Sequence, residues 1–450
     1  MSHDRHLTAV GLAHALLAGG RHRDGLMARA QAALGRLPTW LPAVLEQAIP
    51  VSQASWDRLT IAALATRLGA CPTFQEAFAG NERPTIRRWI LRESHMLPRP
   101  LGLDHLTLPK LDHGDALARW LGVSLADLRW FTDCPPRRRQ QPLHRQHYAF
   151  MMQPKRSGGL RLIEAPRRRL KAVQARILED LLDRVPVHES CHGFVRERSV
   201  LSHARLHAGK PVVLRFDLKD FFVTVSAAQV RAVFDTLGYP PAVAQDLTTL
   251  CTLGTPEPVL ERLRDDGGLD WLQAKCLRSP HLPQGAPSSP MLANLCAFRL
   301  DLRLAGLADS LGARYSRYAD DLSFSGPPSL GSAFARLSAW VGKIALEEGY
   351  RINHHKTRVM TQATAQTVCG VVVNSHPNLR RAQFDRLRAI LHRCACRGPA
   401  APADVDIETW RQHLQGQLTW AEQLNAHKAR RLRMLWERID WAAGSATIGT

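Results

Sequence analysis

An α+β protein is predicted by three features of this 450-residue sequence. Two apolar, β-rich runs, "VVLRFDLKDFFVTV" (212–225) and "RYSRYADDLSFSG" (314–326), and a shorter third, "VCGVVVN" (368–374), are separated by long stretches of helix-period text. The first run carries Asp217, and the second carries the adjacent pair Asp320 and Asp321, in otherwise apolar surroundings. Like charges buried side by side raise each other's pKa and cost stability. The pair is therefore either a surface turn or a place where a cation neutralises both.

In chain order, residues 1 to about 130 read as helical, with apolar residues at three-and-four spacing in "HLTAVGLAHALLAG", "LPAVLEQAI" and "WDRLTIAALATRLG". "HGDALARWLGVSLADLRWF" reads as two short helices around Gly122, the second capped by Ser124. From Arg137 to Arg176, twelve Lys and Arg stand against one acid, Glu164, which describes a phosphate-contacting surface rather than a solvated face of mixed charge. Within that stretch "KRSGGLRLIEAP" reads as a hairpin around Ser-Gly-Gly, and "RRRLKAVQARILEDLLDRV" as an amphipathic helix. The three β-rich runs follow. From about Leu379 to Trp441 the text is again helical and basic.

Composition points to a polyanionic partner: 60 Lys and Arg against 40 Asp and Glu give a formal charge of +20. The nine cysteines form no repeating framework, and the N-terminal apolar run is interrupted by Gly11 and His14, which makes a poor signal peptide. No apolar segment approaches the ~20 residues of a membrane span. A cytoplasmic protein with reduced thiols and no membrane contact is expected. His392, Cys394 and Cys396 lack a second pair at structural-zinc spacing and read as helix packing. "HESCH" (188–192) fits the metalloprotease pattern H-E-x-x-H, but that pattern works only on a continuous helix, and Pro186 and Gly193 leave barely one turn. The absence of a G-x-x-x-x-G-K-[ST] loop argues against an NTPase motor.

If Asp217, Asp320 and Asp321 meet on one sheet edge, bare carboxylate oxygens favour Mg²⁺. Two such ions about 3.5–4 Å apart clamp the attacking and leaving oxygens of an in-line phosphoryl displacement. The surroundings sharpen this reading. "FDLKDFF" (216–222), "LPQGAPSSPMLANL" (282–295), "RYADDLSFS" (317–325) and "INHHKT" (352–357) resemble, in order and spacing, the successive palm motifs of reverse transcriptases. Further similar pieces are "GLRLIEAPRRRLKAVQARIL" and "CHGFVRERSV" in the fingers and "LQGQLTWAEQLN" (414–425) in the thumb. The likeness is to bacterial retron-type enzymes, and also to group II intron and abortive-infection reverse transcriptases. It runs from about His147 to Trp441.

The resemblance implies a right-hand polymerase fold, with a helical N-terminal extension (1–130), fingers (131–213), palm (214–375) and helical thumb (376–450). It implies that Asp217 and Asp320 bridge two Mg²⁺ ions, that Asp321 completes the cluster, and that the Leu218 carbonyl adds a ligand. Phe222 would stand against C2′ of the incoming nucleotide and favour dNTPs over rNTPs, unless it is instead a core residue and Phe221 faces the site. Gln284 and Gly285 would lie beneath the templating pair. Lys356 would protonate or neutralise departing pyrophosphate, Arg161 and Lys171 would hold the triphosphate, and Arg196 or Arg198 would assist.

Two positions depart from the retron pattern: His203 in "HARLH" (203–207) replaces an Asn, and Cys369 in "VCG" (368–370) replaces a Thr. They bear on membership of the self-priming subgroup, not on polymerisation. The implied partners are an RNA template, an RNA–DNA duplex, dNTPs, a cognate noncoding RNA and an effector protein in anti-phage defence. The alternatives are a group II intron-type enzyme, which normally carries further parts beyond the thumb, and a template-independent defence polymerase.

Overall fold

The structure, a computed structural model, describes residues 3–50, 52, 55–56, 59–79, 83–91, 95–132, 142–154, 158–267, 269–402 and 404–441. Arg137, Arg138, Arg139, Lys155 and Arg156 of the basic run lie outside the described residues. The chain divides into two compact units, Met1–His95 and Met96–Thr450.

The first unit is helical among its described residues, with helices His3–Leu17, Arg23–Leu34, Leu41–Ala48, Ile61–Ala70 and Pro72–Glu76. Their apolar stripes meet in a separate core of Leu12, Leu16, Leu41, Val44, Leu64 and Phe74. The Arg29 side chain ties the turn after the first helix by donating to the carbonyls of Ala15, Leu16 and Gly20.

The two units divide at His95, inside the stretch that the sequence reads as a helical extension to about residue 130. The paired helices Gly114–Leu121 and Leu125–Thr132 form as the sequence predicts, with Gly122 at φ 71° ending the first and Ser124 Oγ accepting from Asp127 N at 3.0 Å in the second. Their apolar faces, however, pack on helices Arg168–Asp180 and Pro241–Cys251. Leu117, Leu121, Leu128 and Phe131 thereby join the same core as Phe216, Phe234 and Leu322.

That core supports an antiparallel sheet. Strands β1 (Tyr148–Pro154) and β2 (Leu160–Pro166) pair as an antiparallel hairpin, with Gly158 and Gly159 at positive φ just before β2. Strands β3 (Val212–Asp217), β4 (Arg314–Tyr318), β5 (Asp321–Gly326) and β6 (Arg358–Thr361) form a four-stranded sheet in the order β4-β5-β3-β6. The third β-rich run does not join it. Strands β7 (Thr367–Val368) and β8 (Val371–Val372) pair only with each other, because Cys369 and Gly370, at φ 46° and 85°, turn the chain back after two residues. The sheet's fourth strand is instead "RVMT", whose pattern of three exposed residues and one buried gives little sequence signal.

Beyond the sheet, helices Arg381–Arg397, Ile407–Leu424 and Ala426–Trp436 enclose a small core of Leu391, Leu414, Leu418 and Leu432. Cys394 is buried in that core, as the packing reading of "HRCACR" expects. Among the described residues no helix is long and apolar enough to cross a membrane.

Candidate active site

Asp217 ends β3 and Asp321 begins β5, and the two are register partners. Residues directly opposite in an antiparallel pair project from the same face, so register alone brings these carboxylates together. Asp320 lies in the β4–β5 turn, one residue after Ala319, which is held at φ 55°. The Asp320 carbonyl accepts from Leu218 N at 2.9 Å, fastening the turn to the end of β3.

The electrostatics of the cluster are unbalanced. Asp217 is 3% exposed; its Oδ2 accepts from Lys356 Nζ at 3.0 Å, while its buried Oδ1 has no partner. Burial raises the Asp217 pKa against the pull of Lys356. Burial first, then the charges of Asp321 and Asp217, push Asp320 up to about 6. Asp321 Oδ1 accepts from Arg215 Nε at 2.8 Å.

These features fit a divalent metal. The donors are anionic oxygens, one buried carboxylate oxygen is orphaned, and a neighbouring carboxyl is pushed towards protonation by the other two, a cost that a cation would relieve. Among the described residues no three His, Cys, Asp or Glu side chains already stand as a ligand cluster. The local cations Arg215 and Lys356 hold Asp321 and Asp217 instead.

Beneath the turn lies a fully buried support that the sequence reading missed. The Arg317 guanidinium donates to both Asp301 oxygens, at 2.8 and 2.6 Å, to Asn294 Oδ1 at 3.0 Å and to the Ala319 carbonyl at 3.0 Å. Tyr315 OH donates to the same Asp301 at 2.8 Å. Arg317 thus grips the carbonyl of the strained turn residue itself. Its only sequence signal is a charged residue in the middle of a β-run, and Asp301 lies in helical text with no local pattern to expose it.

The segment holding "HESCH" is a turn, not a helix, and ends in a single bridge to β4: His192 N donates to the Arg317 carbonyl at 2.7 Å, and Arg317 N to the Ser190 carbonyl at 2.8 Å. His192 Nδ1 lies 2.9 Å from Ser202 Oγ and His188 Nδ1 accepts from Ser190 N, so the two imidazoles serve separate contacts. Gly193 follows, where a Cβ would stand 2.5 Å from Ala319 N; only glycine lets this segment reach the turn. Arg198 is committed to the carbonyls of His188, Glu189 and Cys191, and Arg196 to Asp183 at 2.8 Å. In this arrangement both guanidiniums already have protein partners.

On the other side of the hairpin, helix Val200–His207 buries His203 and His207 against serines. His207 bridges Ser325 and Ser316 Oγ at 2.8 Å each, and His203 Nδ1 lies 2.7 Å from Ser316 Oγ. The His203 that replaces the family's Asn therefore still binds β4. Cys369 Sγ lies 3.6 Å from Asp321 Oδ2, with its thiol pKa raised by burial and then by that carboxylate.

Phe221 is buried in the core, and Phe222 packs at its edge, partly exposed. Phe221 is 4% exposed with its ring 5.5 Å from the Arg317 guanidinium, whereas half-buried Phe222 lies beside Phe194, at 6.2 Å between centroids. Phe194, a residue the sequence reading passed over, is 47% exposed at φ 59° and also neighbours Tyr318 at 6.3 Å.

The loop before helix Ser289–Cys296 is clamped to β2. The Gln284 carbonyl accepts from Glu164 N at 2.8 Å, and Gly285, at φ 130°, sits where a Cβ would be 3.2 Å from the Glu164 carbonyl. The Glu164 side chain, the one acid of the basic run, is buried; it meets His281 Nε2 at 2.9 Å and accepts from Thr255 Oγ1 at 2.7 Å. Arg161, Gln284 and Asp220 line one cleft of about 250 Å³, and Lys171 is exposed on helix Arg168–Asp180, outside that lining.

The family model described as reverse transcriptase (RNA-dependent DNA polymerase) matches residues 153–374. The chain is 41% identical over 341 residues to the Retron Mx65 reverse transcriptase of Myxococcus xanthus, covering 75% of this chain and 74% of that one. It is 38% identical over 309 residues to the Retron Mx162 reverse transcriptase of the same organism, covering 63% and 59%. To the Retron Ec86 reverse transcriptase of Escherichia coli it is 32% identical over 274 residues, covering 61% and 74%.

Proposed function

Since the chain belongs to the retron-type reverse transcriptases and is an RNA-directed DNA polymerase, we propose that Asp217, Asp320 and Asp321 form its polymerising centre and hold two Mg²⁺ ions. The observation that carries this reading is the register pairing of Asp217 with Asp321, beside an Asp320 pushed up to about 6 by burial first and then by both of their charges. When bound, the metal pair supplies charge stabilisation for the pentavalent phosphorus of nucleotidyl transfer.

The chain's own residues do the rest. The Leu218 carbonyl, in the strand end that the Asp320 turn fastens, adds an oxygen to the set. Lys356, whose Nζ donates to Asp217 Oδ2 at 3.0 Å, stands beside the carboxylates and gives a proton to departing pyrophosphate. Gln284 and Gly285 support the templating pair from a loop pinned to β2, and Arg161 on β2, with Lys171, receives the triphosphate. Phe222 excludes a 2′-hydroxyl. The substrates are dNTPs, an RNA template and the growing RNA–DNA duplex; the template is a cognate noncoding RNA, acting with an effector protein in anti-phage defence within the cytoplasm.

The test is dNTP incorporation by Asp320→Asn and Asp321→Asn variants on a primed RNA template. Incorporation should fall at least ~100-fold, the scale of losing one preorganised electrostatic partner at a reacting centre, while RNA binding persists. Normal rates in both variants would place the chemistry elsewhere. Sequencing nucleic acid that co-purifies with the chain tests the noncoding-RNA reading: a defined RNA–DNA species is expected, and random cellular RNA would oppose it.

A further inference from the structure

A second basic cavity, of about 610 Å³, opens at the base of the fingers and contains none of the carboxylates. Its walls include Trp130, Arg145, His147, Arg167, Arg168 and Arg169, and among the described residues no Asp or Glu lines it. We infer that this cleft is a stacking site for a base of single-stranded RNA, with Trp130 as the platform and Arg145 and Arg168 on the flanking phosphates. It rests on the reading of the chain as an RNA-binding polymerase and adds to it a place where RNA is held away from the polymerising centre.

The geometry separates the residues that build the cleft from those left for a ligand. Arg169 is held by Asp127 at 2.7 Å and lies over the rings of Trp130 and Phe131, at 5.8 and 5.6 Å. Arg167 Nε donates to the Gln146 carbonyl at 2.9 Å. His147 meets Trp130 edge-on at 4.2 Å, and its Nε2 lies 3.2 Å from the Trp130 carbonyl. These contacts fix the indole in place, yet Trp130 remains 46% exposed. Arg145 and Arg168 are exposed and have no ion pair among the described residues. A large aromatic surface kept open and rigid beside uncompensated guanidinium groups matches the combination that single strands use, a π-face for the base and cations for the backbone. A base-paired duplex would satisfy the arginines but could not offer a base to the indole.

The test uses the full chain and two probes, a fluorescein-labelled oligo(U) RNA carrying 4-thiouridine and a blunt RNA duplex of the same length. Trp130→Ala should weaken oligo(U) binding at least ~5-fold, the lower end of the loss of one base–aromatic stack, and leave duplex binding unchanged. Trp130→Phe should restore most of the loss. Arg145→Glu with Arg168→Glu should weaken both probes and lower the magnitude of the salt slope for oligo(U) by roughly 1.4, at about 0.7 per single-strand phosphate contact. Photo-cross-links should map to the peptide holding Trp130. Unchanged oligo(U) affinity in all three variants, an equal loss on the duplex in Trp130→Ala, or cross-links confined to other regions would each overturn the inference. The exposed arginine pair keeps the test decisive if Trp130→Ala fails to fold. Extension of oligo(dT) on poly(rA) by the unaltered chain reads the polymerase assignment separately, so failure there is distinct from failure of the cleft.

Discussion

The tip and the shaft of the β4–β5 hairpin are adjacent in sequence and opposite in electrostatic design. At the tip and the end of β3 beside it, burial raises the pKa of Asp320 and Asp217, and one buried oxygen of Asp217 has no partner. Along the shaft, the Arg317–Asp301 pair, 0% exposed on both sides, is satisfied by Asn294, Tyr315 and the Ala319 carbonyl, and the histidines opposite are bonded to serines. A tip that carries uncompensated charge keeps its geometry only if what lies under it cannot relax. The fully bonded shaft provides that resistance, and the unspent charge at the tip is what a metal and substrate would neutralise.

The strongest way to break this comparison is to remove the shaft's cation. Arg317→Met should leave Asp301 buried without its partner and cost roughly 3–5 kcal/mol of stability, read by urea unfolding. A loss below ~1 kcal/mol would show that the tip does not lean on this pair.

Acid attacks the shaft next. Burial is the main cause holding His207 down at about 3 and His192 at about 4, and His203 lies well below its ordinary value for the same reason. In the unfolded chain each titrates near ~6.5. Their neutral packing therefore contributes fully above pH ~6.5 and is lost as pH falls towards the folded values, at about 1–2 kcal/mol per histidine between pH 6.5 and 5. Unfolding curves at pH 7 and pH 5 should show that loss, and His207→Gln should flatten it.

The tip responds with the opposite sign. A carboxyl whose folded pKa is about 6 binds protons more tightly than its unfolded form, so its contribution falls as pH rises from ~4 to ~6. Asp320→Asn should stabilise the metal-free chain by about 2 kcal/mol at pH 7, while losing synthesis. The gain should vanish near pH 4. A destabilised Asp320→Asn chain at pH 7 would mean that the carboxylates are not in conflict.

The tip was legible in the sequence and the shaft was not. Asp217, Asp320 and Asp321 interrupt apolar strand text, but an isolated Asp–Asp pair reads as readily as a surface turn; it was the resemblance of the ordered motifs around them that singled them out. Arg317 acquires its meaning only from Asp301 and Asn294, which a different helix and turn bring to it. The same limit explains β6, too short and too exposed to announce a strand, and the region between His95 and Thr132, whose helices were read correctly but whose packing partner was not. The third β-rich run misled because its hydrophobicity is that of a sheet strand while its Cys369–Gly370 turn makes a separate hairpin.

The smallest expected effect concerns the boundary between tip and core at "FF". The sequence left open which phenylalanine faces the nucleotide; the structure buries Phe221 against Arg317 and leaves Phe222 partly exposed at the core edge, beside Phe194. If Phe222 is the ring that meets C2′, Phe222→Ala should raise kcat/KM for rNTPs relative to dNTPs by about tenfold, equivalent to ~1.4 kcal/mol, with little change in dNTP use. Phe194→Ala should give a weaker shift of the same sign, because Phe194 flanks Phe222 on one side and Tyr318 on the other. Phe221→Ala should instead act on folding, since it empties core volume beneath Arg317. An unchanged discrimination ratio in Phe222→Ala would move sugar selection to another residue. A changed ratio in Phe221→Ala at full stability would reverse the orientation argued for the two rings.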